Sequence, residues 1–355
     1  MREEIFDIQK GILMFFVMIS HSVGYFLHIH SMTIFSFLII SGYFDDVRKN
    51  KNFISIFKKR FLGIMCPYFI FEFITFPFFL HGKSMADINY FIRYIFNGIG
   101  PQELLMNFPL WFLPYFFSVM VIYDTIYLFS SKLCDKLKFK NKYLIDFVSF
   151  LFIIILISFS YVYVVVFNRK KLLFNIDFAC MSIIFPFVGK LIKDNKNLIK
   201  NKFEVNIKNK MIKNIIFSLF FIFIIVLWWI LSIINGHIDL VYRVFGKNLI
   251  MLYINAIFGY GSLYGFSIFI SKIKYINSLF EFVGKNSMDI MAYHIPATIV
   301  LPIINFIFPA FLVSKIYKNQ YFYNTFIVSF MIVFSFFMKT IVDSIKFIML
   351  KKREV

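Results

Sequence analysis

An all-α membrane bundle of about ten transmembrane helices, with both termini in the cytoplasm, is the fold this sequence predicts, and three observations carry the prediction. The chain is 60% hydrophobic and only 16% charged, with a mean hydropathy of +0.77, a balance foreign to water-soluble domains. Apolar runs long enough to cross a hydrocarbon core recur from end to end, and 54 phenylalanines spread apolar surface around most of them. The basic residues fall in the gaps on alternate sides, as the positive-inside rule requires: 28 of the 38 Lys and Arg lie in segments read as cytoplasmic and 9 in segments read as outward.

Taken in order, the apolar runs place helices at about 9–27, 31–45, 60–80, 108–130, 143–167, 174–190, 214–235, 247–271, 288–313 and 321–345. The second is short for a span and flanked by His30 and Asp45, which fits a helix buried within the bundle. The inward segments are 1–10, 46–60, 131–143, 189–213, 271–287 and 346–355. Arg169, Lys170 and Lys171 form a basic cluster on the outward side, placed to meet an anionic acceptor. The outward segment 81–107 is the longest of its kind and is read as a lid over a cavity. The Lys/Asn-rich stretch 190–213 reads as a solvated connector.

The net charge of +19 is topological and does not imply nucleic acid, because the cations occupy loops instead of an interleaved patch. Cys66, Cys134 and Cys180 lie in separate segments, which indicates neither a zinc site nor a disulfide framework. The first apolar run lacks a small-residue cleavage site and is expected to remain as a helix. One membrane domain over 1–355, without an appended soluble domain, accounts for the chain.

Ionisable groups at membrane depth mark cavities or partners. His21 lies eleven residues beyond Lys10, about 16 Å deeper at 1.5 Å per residue, near the middle of a core roughly 30 Å thick. Lys10, Met14, Val17 and His21 share one helix face. An imidazole there suits general-base chemistry, or it is a neutral histidine satisfied by a serine or carbonyl of another helix. Ser36 and Ser41-Gly42 put small groups where helices approach closely. Lys58, Lys59 and Arg60 open the third helix, either as orientation signals or as phosphate ligands, and Pro67 frees a carbonyl within it. Trp111 at the start of the fourth helix fits an interfacial anchor. Ser287 and His294, seven apart, share a face near the chain's end. Glu72, Asp124, Asp177 and the pair Lys339 and Asp343 complete the membrane-depth ionisable groups, the last pair spaced for a helix salt bridge.

These residues resemble the integral-membrane acyltransferase 3 family, especially its fucose 4-O-acetylase-like and surface-polysaccharide O-acetyltransferase branch. The resemblance rests on Phe6-Asp7-Ile8-Gln9-Lys10-Gly11 with Ser20-His21, on Phe37 through Ser41-Gly42-Tyr43-Phe44, and on Lys59-Arg60 through Pro67-Tyr68. Leu110-Trp111-Phe112-Leu113, Asp177-Phe178 through Phe187-Val188-Gly189, and Gly284-Lys285-Asn286-Ser287 through His294 follow in order. It implies a cell-membrane enzyme that moves an acyl group, usually acetyl from cytoplasmic acetyl-CoA, to a hydroxyl of a saccharide, with possible links to polysaccharide-synthesis machinery. His21 matches the family's catalytic histidine; Lys10, Lys59 and Arg60 would hold the donor phosphates, while Ser41, Trp111, Ser287 and His294 would line the cavity. Lys10 stands where arginine is commoner, and Gly63 where the family has a second arginine; lysine lacks the bidentate fork of arginine. A transporter or flippase for a lipid-linked glycan is the alternative from another class, although no half-to-half similarity of the kind transporters show is present. A structural membrane protein without chemistry of its own is the third reading.

Overall fold

Asparagine starts three of the helices. The side-chain oxygen of Asn52 accepts from the Ser55 amide at 2.8 Å, that of Asn141 from Tyr143 at 2.9 Å, and that of Asn248 from Met251 at 2.9 Å. Each satisfies an amide the first turn leaves unpaired. The computed structural model describes residues 4–23, 30–49, 52–79, 88–89, 92–93, 95–96, 107–138, 141–197, 210–240, 242–301 and 320–351.

The described chain is almost wholly helical. In order it runs α1 (Glu4–Val23), α2 (His30–Phe44), α3 (Phe53–Phe79), α4 (Phe108–Lys136), α5 (Lys142–Val166), α6 (Leu173–Ser182), α7 (Ile184–Asp194) and α8 (Lys210–Asn235). α9 (Leu249–Ile270), α10 (Ile276–Lys285), α11 (Ser287–Val300) and α12 (Gln320–Lys351) follow. Two short strands, Ile238–Asp239 and Val244–Phe245, form an antiparallel hairpin between α8 and α9.

Six of these helices are long and apolar enough to cross a membrane by themselves, and the bent pair α6 and α7 makes a seventh. The predicted ten are reached only by counting α1, α2 and α11, which are shorter or carry more charge. Two prolines explain local geometry. Pro67 cannot donate to the carbonyl of Gly63, and the turn before it widens to a π turn in which the Cys66 amide reaches Phe61. Pro186 likewise cannot bond Ser182, the residue at which α6 ends and the chain bends by 49° into α7.

Two helix pairs touch backbone to backbone. A methyl group at Gly11 would strike the carbonyl of Phe280, and one at Gly284 the carbonyl of Asp7, so α1 and α10 cross with no side chain between them. Gly42 and Gly189 do the same for α2 and α7, against Pro186 and Ile39 respectively. Within 271–287, counted from the sequence as an inward segment, the chain forms α10, whose Val283 and Gly284 are buried at the crossing. Of the connector predicted at 190–213, residues up to Asp194 belong to α7, and 198–209 lie outside the described residues. α8 and α12 stay largely at the periphery, whereas α4 and α9 contribute heavily to the core.

Candidate active site

His21 sits in the last described turn of α1, ten residues beyond Gly11, and His294 in α11, ten residues beyond Gly284. The glycine crossing therefore sets both imidazoles at one level. Their rings stack, 5.4 Å between centres with 26° between planes, and Phe108 meets His21 edge-on at 4.7 Å. His294 is fully buried. Its Nδ1 lies 2.9 Å from the Ile290 carbonyl. A carbonyl only accepts, so the proton belongs on Nδ1, and in the neutral ring Nε2 carries a lone pair. Among the described residues that nitrogen has no hydrogen-bond partner. Ser20 is turned away from the pair, donating to the Val17 carbonyl at 2.8 Å.

Asn107 joins this centre to α3. Its Nδ2 donates to the Ala292 carbonyl and, at 3.3 Å, to the Thr75 hydroxyl, and the next residue is the Phe108 that contacts His21. Tyr68, one turn before Glu72 on α3, donates to the Ile95 carbonyl at 3.1 Å. Ile95 and Asn107 thus bring parts of the predicted lid onto α3, while most of 81–107 lies outside the described residues.

The basic residues read as phosphate ligands are already engaged by carboxylates. Arg60 makes a two-pronged contact with Asp124 at 2.9 and 3.1 Å and a second with Asp45 at 2.5 Å. Lys59 bonds Asp45 at 2.8 Å with its side chain 47% exposed, against 12% for Arg60. Burial alone would raise the Asp45 carboxyl, but a hydrogen bond to Asp124 and the charges of Arg60 and Lys59 outweigh it and hold the group below the ordinary carboxylate range. Lys10 pairs with Asp7 at 2.6 Å.

Beside this cluster Asp194 gathers three cations: Arg48 at 2.9 Å, Lys142 at 3.0 Å and Lys190 at 2.9 Å. A cavity of about 320 Å³ opens there, lined by Val47, Arg48, Tyr127, Leu128, Ser131, Lys142 and Ile145. Val47 and Arg48 closely follow Asp45, and Tyr127 is one turn from Asp124, so the cavity adjoins the Arg60 cluster.

The remaining predicted residues separate. Trp111 is buried against Tyr115 and Phe112, three residues past Phe108; it is a core side chain and not an interfacial anchor, because the chain enters α4 beneath the surface. Ser41 stands at the Asp45 end of α2, where its carbonyl accepts from the Asp45 amide, away from the histidines. Ser287 begins α11, two turns before His294. Lys339 reaches Asn286 at 2.7 Å and Asp289 at 3.2 Å, across to the start of α11. On the outward side Arg243 ties the basic cluster down, bonding Asp177 and the Arg169 carbonyl. Burial, with Arg243 nearby, pushes the Lys171 ammonium below its usual range.

The fold is that of a polytopic helical membrane protein with two imidazoles meeting in its interior, and the sequence comparison gives its class. The model of the acyltransferase domain family, acyltransferase 3, matches residues 4–339, and the chain belongs to that family. It is a multi-pass membrane acyltransferase. Neither the curated proteins nor the solved structures contain a significant match to it.

Proposed function

We propose that this enzyme is an O-acetyltransferase of the surface-polysaccharide type in the cytoplasmic membrane, moving acetyl from acetyl-CoA to a hydroxyl of a saccharide. The stacked His21–His294 pair carries the reading: an imidazole at this depth is costly, and two from opposite ends of the chain meet where a buried ring nitrogen is left unmet. His21 takes the proton from the acceptor hydroxyl. The oxygen attacks the thioester carbonyl, the C–O bond forms, the C–S bond breaks, and the proton passes to the departing thiolate. The same residue serves equally as a relay, acylated first and then attacked by the hydroxyl. His294 holds the His21 ring in place.

The donor's phosphates meet the Lys-rich end. Lys59 and the cavity bearing Arg48 and Lys142 offer accessible cations there, Arg60 orders that end through its two carboxylates, and Lys10 lies on the α1 face that leads inward to His21. Family membership disfavours a flippase. The experiment is consumption of acetyl-CoA by membranes carrying the protein, against His21→Ala at equal expression; loss of transfer is expected, and unchanged transfer removes His21 from the chemistry.

A further inference from the structure

Glu72 has no role in the scheme above, yet it is among the costliest residues in the molecule. Its side chain is fully buried within α3, about 18 Å beyond Arg60 at 1.5 Å per residue, which is close to the depth of His21 below Lys10. Among the described residues neither carboxyl oxygen has a hydrogen-bond partner. In either protonation state a carboxyl so placed leaves hydrogen-bonding capacity unmet, and such a group calls for a partner. Glu72 lies in a polar stripe of α3 with Tyr68 one turn before and Thr75 one turn after, all fully buried in an otherwise Phe-rich span. Thr75 binds Asn107, Asn107 precedes Phe108, and Phe108 touches His21.

The unmet atoms of this region mostly accept. Asn107 Oδ1 and the Nε2 of neutral His294 are acceptors, Glu72 brings two oxygens that accept when ionised and include one O–H when protonated, and the Tyr293 hydroxyl beside Phe71 can donate or accept. They call for a ligand rich in hydroxyls, which do both. An acyl thioester offers its carbonyl oxygen and sulfur, which are acceptors themselves, whereas a sugar ring offers several hydroxyls. The geometry points to Glu72 and Asn107 as the acceptor-binding residues of the enzyme, taking hydrogen bonds from saccharide hydroxyls next to the one that is acylated. The inference rests on the acetyltransfer reading and deepens it by assigning the second substrate's place; neither residue enters the covalent step.

The test has two arms, on Glu72→Leu and Glu72→Gln. In the first, the purified full-length protein is melted without substrate. An unmet carboxyl serving a ligand destabilises the empty protein, so Glu72→Leu melts a few degrees higher than the parent. In the second, radiolabelled acetyl-CoA is supplied to membranes and label in their own glycan is counted. Glu72→Leu loses about tenfold or more of the transfer with the KM for acetyl-CoA unchanged, and Glu72→Gln, which keeps an acceptor oxygen, loses less. A lower melting temperature for Glu72→Leu, undiminished transfer, or a shifted KM for acetyl-CoA overturns the assignment. If the parent membranes transfer no label at all, the acetyltransfer reading has failed instead, and the melting arm alone decides whether Glu72 is a ligand-binding group.

Discussion

His294 stacks on His21 with its Nδ1 bonded to its own helix at Ile290, so the ring that backs the proposed catalytic imidazole is fixed by main chain and not by another side chain. Removing each ring separates their roles. His21→Ala is expected to lower acetyl transfer by about 10²–10⁴-fold, the range of a lost general base. His294→Phe keeps a flat ring for stacking and loses both nitrogens; a fall of about tenfold, smaller than that of His21→Ala at matched protein levels, marks a positioning role. An equal fall in both would place His294 in the chemistry itself.

The α1–α10 crossing should tolerate no side chain. Gly11→Ala and Gly284→Ala each force a methyl group into the facing backbone and are expected to cost about 1–3 kcal/mol, read as a lower melting temperature in detergent. Gly63→Ala is the control. Nothing lies within 4 Å of a methyl group placed there, and the change should be neutral or stabilising by up to about 1 kcal/mol.

Arg60 should be indispensable for assembly before it matters for catalysis. Arg60→Ala leaves Asp45 and Asp124 buried together with their main cation gone, a loss of about 3–5 kcal/mol. Paired replacement, Arg60→Leu with Asp124→Leu, should recover part of that loss in a melting assay. Lys59→Ala and Arg48→Ala, both at exposed side chains, should leave the fold intact and raise the KM for acetyl-CoA.

Asp45 gives the cluster a pH signature. Its carboxyl is held below the ordinary range, near 4 for an unfolded chain, so its contribution is complete above that value and is lost as pH falls through the lower folded value. The difference in melting temperature between the parent and Asp45→Asn should be present at about pH 5 and close as pH falls below about pH 4. A difference that closed on the alkaline side would contradict the ion-pair assignment.

The membrane class and most helix positions were legible because apolar length is a local property of the chain. His21 and His294 stood out for the same reason, as imidazoles inside apolar runs. Their meeting was not legible, since no periodicity links the first helix to the eleventh. Arg60 could be read as a cation but not as a neutralised one, because Asp45 and Asp124 approach it from other elements. The segment holding α10 enters the sequence reading only through its basic residues Lys272, Lys274 and Lys285, although Ile276, Leu279, Phe280 and Val283 have helical spacing. Asn107 carried no motif at all; its place just before Pro109 marks a helix start, and only the fold shows that it also bridges α3 and α11.

The glycine contact between α1 and α10 has a consequence for biogenesis. α1 cannot cover its Gly11 face until residue 284 has been made, by which point α2 to α9 have already been synthesised. Until then the Gly11 face has no α10 backbone to close on, and the His21 imidazole lacks the His294 ring that stacks on it. A product cut short before residue 284 thus lacks the crossing, and one cut short before residue 294 lacks the stacked pair of rings.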